Sequence, residues 1–136
     1  MKVPGIGAGP SNLVAEQVVQ SFYASEAIAK GEPVALVTNG YTAAKCNTTD
    51  VCIGIAKEAI ASGSWGEVIR SGWCDYIVTD ENVAAGVLYV QADGVVSSIA
   101  EADIDTEAEI VLLVRKVGVA VTSDTGAVGE GLIQCL

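Results

Sequence analysis

Histidine is absent from this chain of 136 residues, and only 7 lysines and arginines stand against 17 aspartates and glutamates, for a net charge of −10. Without histidine the chain lacks the commonest general base at neutral pH, and no Ser/His/Asp or Cys/His set can form. Few cations also argue against binding to nucleic acid backbones, which depends on cationic contacts. We therefore expect neither an enzyme nor a nucleic-acid-binding protein.

Metal ligands and long apolar runs are also scarce. The four cysteines, Cys46, Cys52, Cys74 and Cys135, include no C-x-x-C pair, so neither a zinc site nor any other metal or cofactor site is expected. Buried thiols are the simplest expectation, although the sequence leaves their oxidation state open. No apolar run approaches the roughly 20 residues of a membrane-spanning helix, and the first residues lack the apolar stretch of a signal peptide. No membrane partner is therefore expected.

What the chain does contain is aliphatic sequence, with 51% hydrophobic but only 5% aromatic residues. Short apolar runs are separated by turn residues, and Asn39-Gly40 and Asp93-Gly94 are strong hairpin signals. The predicted strands cover residues 17–23, 33–38, 41–45, 51–57, 67–72, 73–79, 88–92, 95–99, 110–115, 117–121 and 132–135. Residues 17–23 could also form a short helix started by Ser11, but we interpret them as a strand. Residues 57–62 also fit a helical pattern, but we interpret them as a strand end and a turn. Many short strands with regular turns indicate a β-barrel or a β-sandwich.

Two sequence patterns occur twice in the same order. The first is a short aliphatic segment ending in glycine, then a strand and a hairpin signal. The second reads aliphatic-Gly-aliphatic-Ala, then Gly-x-x-Gly-Glu and an aliphatic pair. The copies lie at 28–40, 53–69, 83–94 and 117–133. Two copies are too few for a solenoid, so we predict one domain, residues 17–136, with related halves at 26–70 and 81–134.

The glycines of these patterns are predicted to be structural, at turns or where two backbones approach closely. They are Gly31, Gly54, Gly63 and Gly66 in the first half, and Gly86, Gly118, Gly126 and Gly129 in the second. A bend after the turn at 57–62 is expected to be permitted by Gly63 and Gly66. None of these positions carries a reactive side chain, so the repeat predicts architecture and not chemistry.

Residues 1–16 differ from the rest in being rich in glycine and proline, and we interpret them as a flexible arm. Their Gly-x-Gly-x-Gly run superficially looks like the phosphate loop of flavin-binding monooxygenases. Only four residues precede it, however, and Pro10 lacks a backbone donor, so the arm is the better interpretation. Its apolar residues Val3, Ile6 and Leu13 are candidates for burial against a partner.

Two further segments have open roles. Residues 101–109 carry five carboxylates without the order of a calcium-binding loop, and we interpret them as a solvated insertion. Trp65, Trp73 and Tyr76 could form a ligand platform, but core filling or a subunit interface is the commoner use of such residues.

The repeated segments also carry a resemblance to a known family. They are Gly31-Glu32-x-Val34, Ile53-Gly54-Ile55-Ala56, Gly63-x-x-Gly66-Glu67-Val68, Val83-Ala84-Ala85-Gly86, Asp93-Gly94 and Val117-Gly118-Val119-Ala120. Over residues 17–136 the chain resembles the small β-rich head decoration (cement) proteins of tailed bacteriophages and related small capsid-associated proteins.

The resemblance implies an all-β fold: a compact, β-tulip-like barrel built from two related halves, with an extended N-terminal arm. It also implies a structural virion protein, assembled in the host cytoplasm, that decorates the capsid exterior and cements it by bridging neighbouring capsid subunits. The partners would be the major capsid protein and further copies of the chain in a homotrimer. The alternative is a small-molecule-binding barrel or an accessory domain of an enzyme. A polar-lined cavity inside the barrel would favour that alternative.

A homotrimer is the first testable expectation. A chain this aliphatic should cover apolar surface between subunits, and a closed symmetric ring does so without leaving an open end. Native mass spectrometry of the purified protein should therefore give three times the chain mass of 13.9 kDa. A monomer alone, both in free solution and after release from a partner, would contradict the expectation.

Overall fold

The computed structural model describes residues 16–37, 39–47, 50–79, 86–92, 94–99, 117–120 and 128–134. These residues form strands and no helix. The strands are β1 (Val18–Ala24), β2 (Pro33–Leu36), β3 (Thr42–Lys45), β4 (Cys52–Ala56), β5 (Trp65–Val78), β6 (Gly86–Ala92), β7 (Val95–Ile99), β8 (Gly118–Ala120) and β9 (Val128–Gln134).

The first five strands close into a barrel. Neighbours follow the order β1-β3-β2-β4-β5, and β5 pairs again with β1. The β1–β3 pair is parallel, with Tyr23 opposite Thr42, and the other four pairs of this ring are antiparallel. A closed ring leaves no strand edge unpaired within the barrel. The predicted all-β barrel fold is confirmed.

The remaining strands repeat the same pairings around the second half of β5. That half pairs with β9, β9 with β8, β8 with β6, and β6 with β7, all antiparallel. A parallel bridge between Thr79 and Val96 then returns β7 to the end of β5. The parallel contact corresponds to the β1–β3 pair of the first ring. The same set of pairings therefore occurs twice along β5.

Ser71 is the residue at which β5 passes from one ring to the other. It lies opposite Val18 of β1 on one side and opposite Gln134 of β9 on the other. The next residue, Gly72, has a φ of 104°, a backbone conformation that other residues rarely adopt. A Cβ there would also meet the backbone of Glu16 and Gln17. Only glycine therefore fits where the chain leading into β1 crosses β5.

Two apolar clusters form the core of the described structure. One contains a residue from each strand of the first barrel and fills its interior: Phe22, Ala24, Ile28, Val34, Ala43, Ile53, Ala56, Ile60 and Val68. The other joins the first ring to the second: Ala35, Cys46, Cys52, Ile55, Ile69, Cys74, Ile77, Val96, Val117 and Ile133. Burial of aliphatic surface in both clusters is the main favourable term for folding.

Most strands predicted for the described residues are confirmed, with three corrections. The segments 67–72 and 73–79 form one strand, because Ser71 is paired on both sides. Gly66 does not permit a bend. It lies within β5 opposite Phe22, where any Cβ would overlap Ile60. Residues 128–131, left out of the last predicted strand, belong to β9.

The interpretation of 57–62 as non-helical is also confirmed. Within that segment Ile60 exchanges backbone hydrogen bonds of 2.8 and 2.9 Å with Ile28. Residues 1–15, 101–109, 110–115 and Gly126 lie outside the described residues.

Gly54 and Gly118 stand in matching surroundings in the two rings. Gly54 lies in β4 beside β5, and Gly118 lies in β8 beside β9. A Cβ on Gly54 would overlap the carbonyl oxygen of Ile69, and one on Gly118 would overlap that of Leu132. Both glycines therefore allow a neighbouring strand to approach more closely than any side chain would permit.

Replacing Gly54 or Gly118 by alanine should destabilise the fold by about 1–3 kcal/mol, the range for overpacking a core. In an open strand position the same change would stabilise by roughly 0.5–1 kcal/mol. Gly40→Ala is the control, because nothing lies within 4 Å of a Cβ there. Urea unfolding midpoints measure the effect, and equal tolerance at all three positions would argue against the close approach.

Candidate functional site

An exposed aromatic cluster stands at one end of the first barrel, and we call it the barrel tip. Its rings are those of Tyr23, Tyr41 and Trp65. The rings of Tyr41 and Trp65 stack with centroids 5.8 Å apart and planes 19° from parallel. Tyr23 packs edge-on against Trp65 at 5.9 Å. Trp65 is 60% exposed and Tyr41 is 53% exposed, so large ring surfaces face solvent although the rings support each other.

The backbone holds these rings in place. In the hairpin between β2 and β3, the side-chain oxygen of Asn39 accepts hydrogen bonds from the amides of Tyr41 and Thr42, at 3.0 and 2.8 Å. The carbonyl of Tyr41 accepts the amide of Tyr23 at 2.8 Å, and Tyr23 lies opposite Trp65 in the β1–β5 pair. Tyr23 and Trp65 therefore come from β1 and β5, and Tyr41 from the hairpin that precedes β3, so barrel closure brings the three rings together.

Hydroxyl and amide side chains lie beside the tip, together with the exposed aliphatic side chains of Leu36 and Val37 from the same hairpin. Ser25, Ser62 and Ser64 are exposed beside it, as is Asn39. Two backbone hydrogen bonds connect the 61–64 turn to the end of β1. The amide of Ala24 donates to the carbonyl of Ser64 at 2.9 Å, and the amide of Gly63 donates to the carbonyl of Ala24 at 2.8 Å. The rim is thus as well anchored as the rings.

Acidic side chains flank this rim. Glu26 directly follows Ser25 in the chain, and Glu67 lies two residues along β5 from Trp65 on the same side of the strand. An anionic ligand that reached the rings would meet these two carboxylates. The tip is therefore better suited to a neutral ligand than to an anionic one.

A small cleft lies beside β5. Tyr76 borders it and supports the ammonium of Lys30, whose nitrogen stands 4.7 Å from the ring centroid. The cleft has a volume of about 220 Å³, which is below the roughly 300–1,000 Å³ of typical small-molecule sites. A second, open depression of about 530 Å³ has a mainly apolar lining that includes Ile28 and Ile60. The first is too small and the second too apolar to match the polar-lined cavity expected of a small-molecule-binding barrel.

The three aromatic residues singled out from the sequence do not form one surface. Trp65 stands at the tip, whereas Trp73 is half-buried eight residues further along β5, about 25 Å away at strand spacing. The carbonyl of Trp73 accepts the side-chain amide of Gln17 at 2.7 Å. Tyr76 packs over Gly31, whose φ is 83° and where a Cβ would lie 2.6 Å from the Tyr76 ring. Their role in a subunit interface stays a prediction.

The sequence alone did not predict that Tyr23 and Tyr41 would lie beside Trp65 at the tip. A tyrosine beside a hairpin signal was visible at Tyr41, but neither residue stood out by sequence spacing. Of the apolar arm residues, Val3, Ile6 and Leu13 lie outside the described residues.

The cysteines within the described residues are buried thiols. Those of Cys46, Cys52 and Cys74 donate to backbone carbonyls at 3.3–3.5 Å. Burial raises the pKa of the Cys74 thiol, and the neighbouring carboxylate of Asp75 acts in the same direction. Cys135 lies outside the described residues. In the part of the chain that the structure describes, no three metal-ligating side chains converge, and no helix is long and apolar enough to cross a membrane.

The fold is similar to that of a phage protein of known structure. The chain is similar to the N base of the head fibre protein gp8.5 of bacteriophage phi29, with a TM-score of 0.59 and 11% sequence identity. The match covers 89% of this chain and 98% of the phi29 chain. No protein-family model matches the sequence, and no curated protein does either. At this identity the likeness establishes a shared fold over nearly the whole of both chains.

The thiols of Cys46, Cys52 and Cys74 should be protected in the native protein. In a Cys135→Ser variant, a disulfide reagent such as DTNB at pH 8 should react with them only at the rate of unfolding, because buried thiols are inert. Urea should release all three. Fast stoichiometric reaction without denaturant would contradict the burial.

The burial of the Cys74 thiol also predicts how the free energy of unfolding changes with pH. A thiol whose pKa is raised by folding keeps its proton to higher pH in the native state than in the unfolded state. Stability is therefore lost as the pH rises above 9.0, the usual pKa of the thiol. The free energy of unfolding should fall less steeply between pH 9 and about pH 10.5 in Cys74→Ala than in the parent. Identical slopes would show that Cys74 does not contribute.

Proposed function

We propose that this chain is a structural virion protein that decorates the outside of a phage capsid and cements it by bridging neighbouring capsid subunits. The observation that carries the proposal is the fold shared with the base of a phage head fibre, over nearly the full length of both chains. The resemblance of the repeated glycine segments to head decoration proteins supports it independently.

The filled interior of the first barrel supports an adhesive role over ligand storage. Its cluster is aliphatic and aromatic, with Phe22, Val34 and Val68 at 2% exposure or less. A barrel that binds a small molecule inside needs a cavity with a few polar groups. Binding by this protein therefore takes place on its surface and through its arm.

The start of β1 and the tip lie at opposite ends of the first barrel. Val18, the first residue of β1, lies opposite Ser71, and Tyr23 near its end lies opposite Trp65. Six strand residues, about 20 Å, separate the two ends. In the proposed function, Val3, Ile6 and Leu13 of the arm bind capsid subunits at the first end.

Bridging stabilises a shell by linkage. A protein that binds the assembled lattice better than free capsid subunits shifts the equilibrium toward the lattice. A homotrimer carrying three arms would add avidity, because the second and third arms bind at high effective concentration. The major capsid protein is the partner in this scheme, the location is the capsid exterior, and no catalytic step is involved.

The test uses heads of the phage that encodes the chain. Purified heads should contain the protein in fixed stoichiometry, and heads lacking its gene should break open at a lower temperature. Adding purified full-length protein should restore stability. A variant with Val3, Ile6 and Leu13 replaced by serine should bind empty heads at least about tenfold more weakly, because three arms lose contacts together. Ser11→Ala is the matched control.

Two outcomes separate the parts of this proposal. Heads that lack the protein, or that are equally stable without it, would contradict the cementing function. Unchanged binding by the serine variant would contradict the arm alone and leave the barrel surface as the attachment site.

A further inference from the structure

We propose that the barrel tip is a binding site for a neutral polysaccharide chain. This inference goes beyond capsid attachment and does not depend on it, because it rests on the tip alone. It is supported by the chemistry of the rings and their rim, the rigidity of the rings, the charge beside them, and the area that the tip offers.

The chemistry of the tip matches the two kinds of surface on a sugar ring. The exposed faces of Trp65 and Tyr41 can pack against its C–H groups, since aromatic rings provide large, rigid and amphipathic contact area. Hydroxyl groups of a sugar need partners that both donate and accept. At the rim Ser64 offers an exposed hydroxyl and Asn39 the N–H groups of its side-chain amide, whose oxygen is bonded to the hairpin backbone. The hydroxyl of Ser62 donates to the carbonyl of Ser25, so it offers its oxygen as an acceptor.

The rings are also positioned before any ligand arrives. The bonds from Asn39 to the hairpin backbone and the edge contact of Tyr23 hold Tyr41 and Trp65 in their stacked arrangement. A rigid aromatic surface loses little conformational entropy when a ligand binds. This preorganisation suits a weakly interacting, hydrated ligand such as a carbohydrate.

Charge favours a neutral polymer over an anionic one. The chain has a net charge of −10, and the carboxylates of Glu26 and Glu67 are exposed beside the rim. An anionic polysaccharide or nucleic acid would be repelled both by the whole molecule and at the site. A neutral polysaccharide meets neither cost.

The area of the tip favours a short stretch of chain over a folded protein. A five-stranded barrel with strands about 4.8 Å apart and side chains outside them is roughly 20 Å across, so its end offers on the order of 300 Å². A stable protein–protein interface needs about 800 Å² from each partner. A few consecutive sugar units can be covered by the smaller area, which is well below what a stable protein interface needs.

The experiment is affinity electrophoresis of the full-length protein through gels containing soluble neutral polysaccharides, namely glucan, mannan and galactan, or the anionic polygalacturonate. An array of neutral and acidic glycans is the second readout. At least one neutral polysaccharide should retard the parent, and Trp65→Ala should weaken that binding about tenfold or more, as expected for loss of an aromatic anchor. Polygalacturonate should cause no retardation.

Three variants make the result specific. Tyr41→Ala should also weaken binding, and Trp65→Phe should retain most of it, because phenylalanine keeps a ring at the same place. Val51→Ala is the control, since Val51 is 65% exposed but precedes β4 at the other end of the barrel. Urea unfolding of each variant shows that the fold is intact.

Several outcomes would overturn the proposal. They are binding to no neutral glycan on the array, binding to anionic glycans only, and equal binding by the parent and the Trp65→Ala and Tyr41→Ala variants. If Trp65→Ala instead abolished binding to empty heads or changed the oligomeric mass, the tip would be a protein interface. The glycan-binding results by themselves do not bear on whether the protein cements a capsid through its arm.

Discussion

The structure depends on one strand that belongs to two rings. β5 completes the first barrel through β1 and β4, and its second half begins the next ring through β9. Pairing on both sides of Ser71 makes β5 one continuous strand through both rings. The apolar cluster that joins the rings contains Ile69, Cys74 and Ile77 of the same strand. Backbone pairing and side-chain burial therefore impose the same arrangement, which makes folding cooperative.

The shared strand also determines where function can lie. Because the second ring and the chain entering β1 meet the first barrel near Gly72, only the opposite end stays uncovered by the described strands. That end carries the stacked pair of Tyr41 and Trp65. The barrel interior is filled by side chains such as Phe22 and Ile28 and has no use as a ligand chamber. Among the described residues, the uncovered end and the outer face of the strands are the surfaces that remain open to a partner.

Much of the fold could be predicted from local sequence, but the tip could not. Asn39-Gly40 and the alternating aliphatic residues around it identify a hairpin, because both signals come from neighbouring residues. The break predicted near Gly72 marked a real feature, although it is the passage of β5 between rings and not the end of a strand.

Contacts across the barrel leave no such local signal. Tyr23 and Trp65 lie on β1 and β5 and Tyr41 in the hairpin before β3, and the three meet because the ring closes. Conversely, Trp65 and Trp73 are close in sequence and far apart in space, because an extended strand separates residues quickly. Spacing along the chain was therefore a poor guide to this site.

The repeated glycines explain why the sequence indicated a fold family more readily than a ligand. Gly54 and Gly118 each allow a strand to approach the carbonyl of its neighbour, and any side chain would prevent that approach. This requirement comes from packing within each ring, and it is the same whatever the surface binds. A pattern of glycines and aliphatic residues therefore reports how β4 meets β5 and how β8 meets β9. Exposed side chains such as Trp65 are not constrained by the packing of the rings, and the glycine pattern carries no information about them.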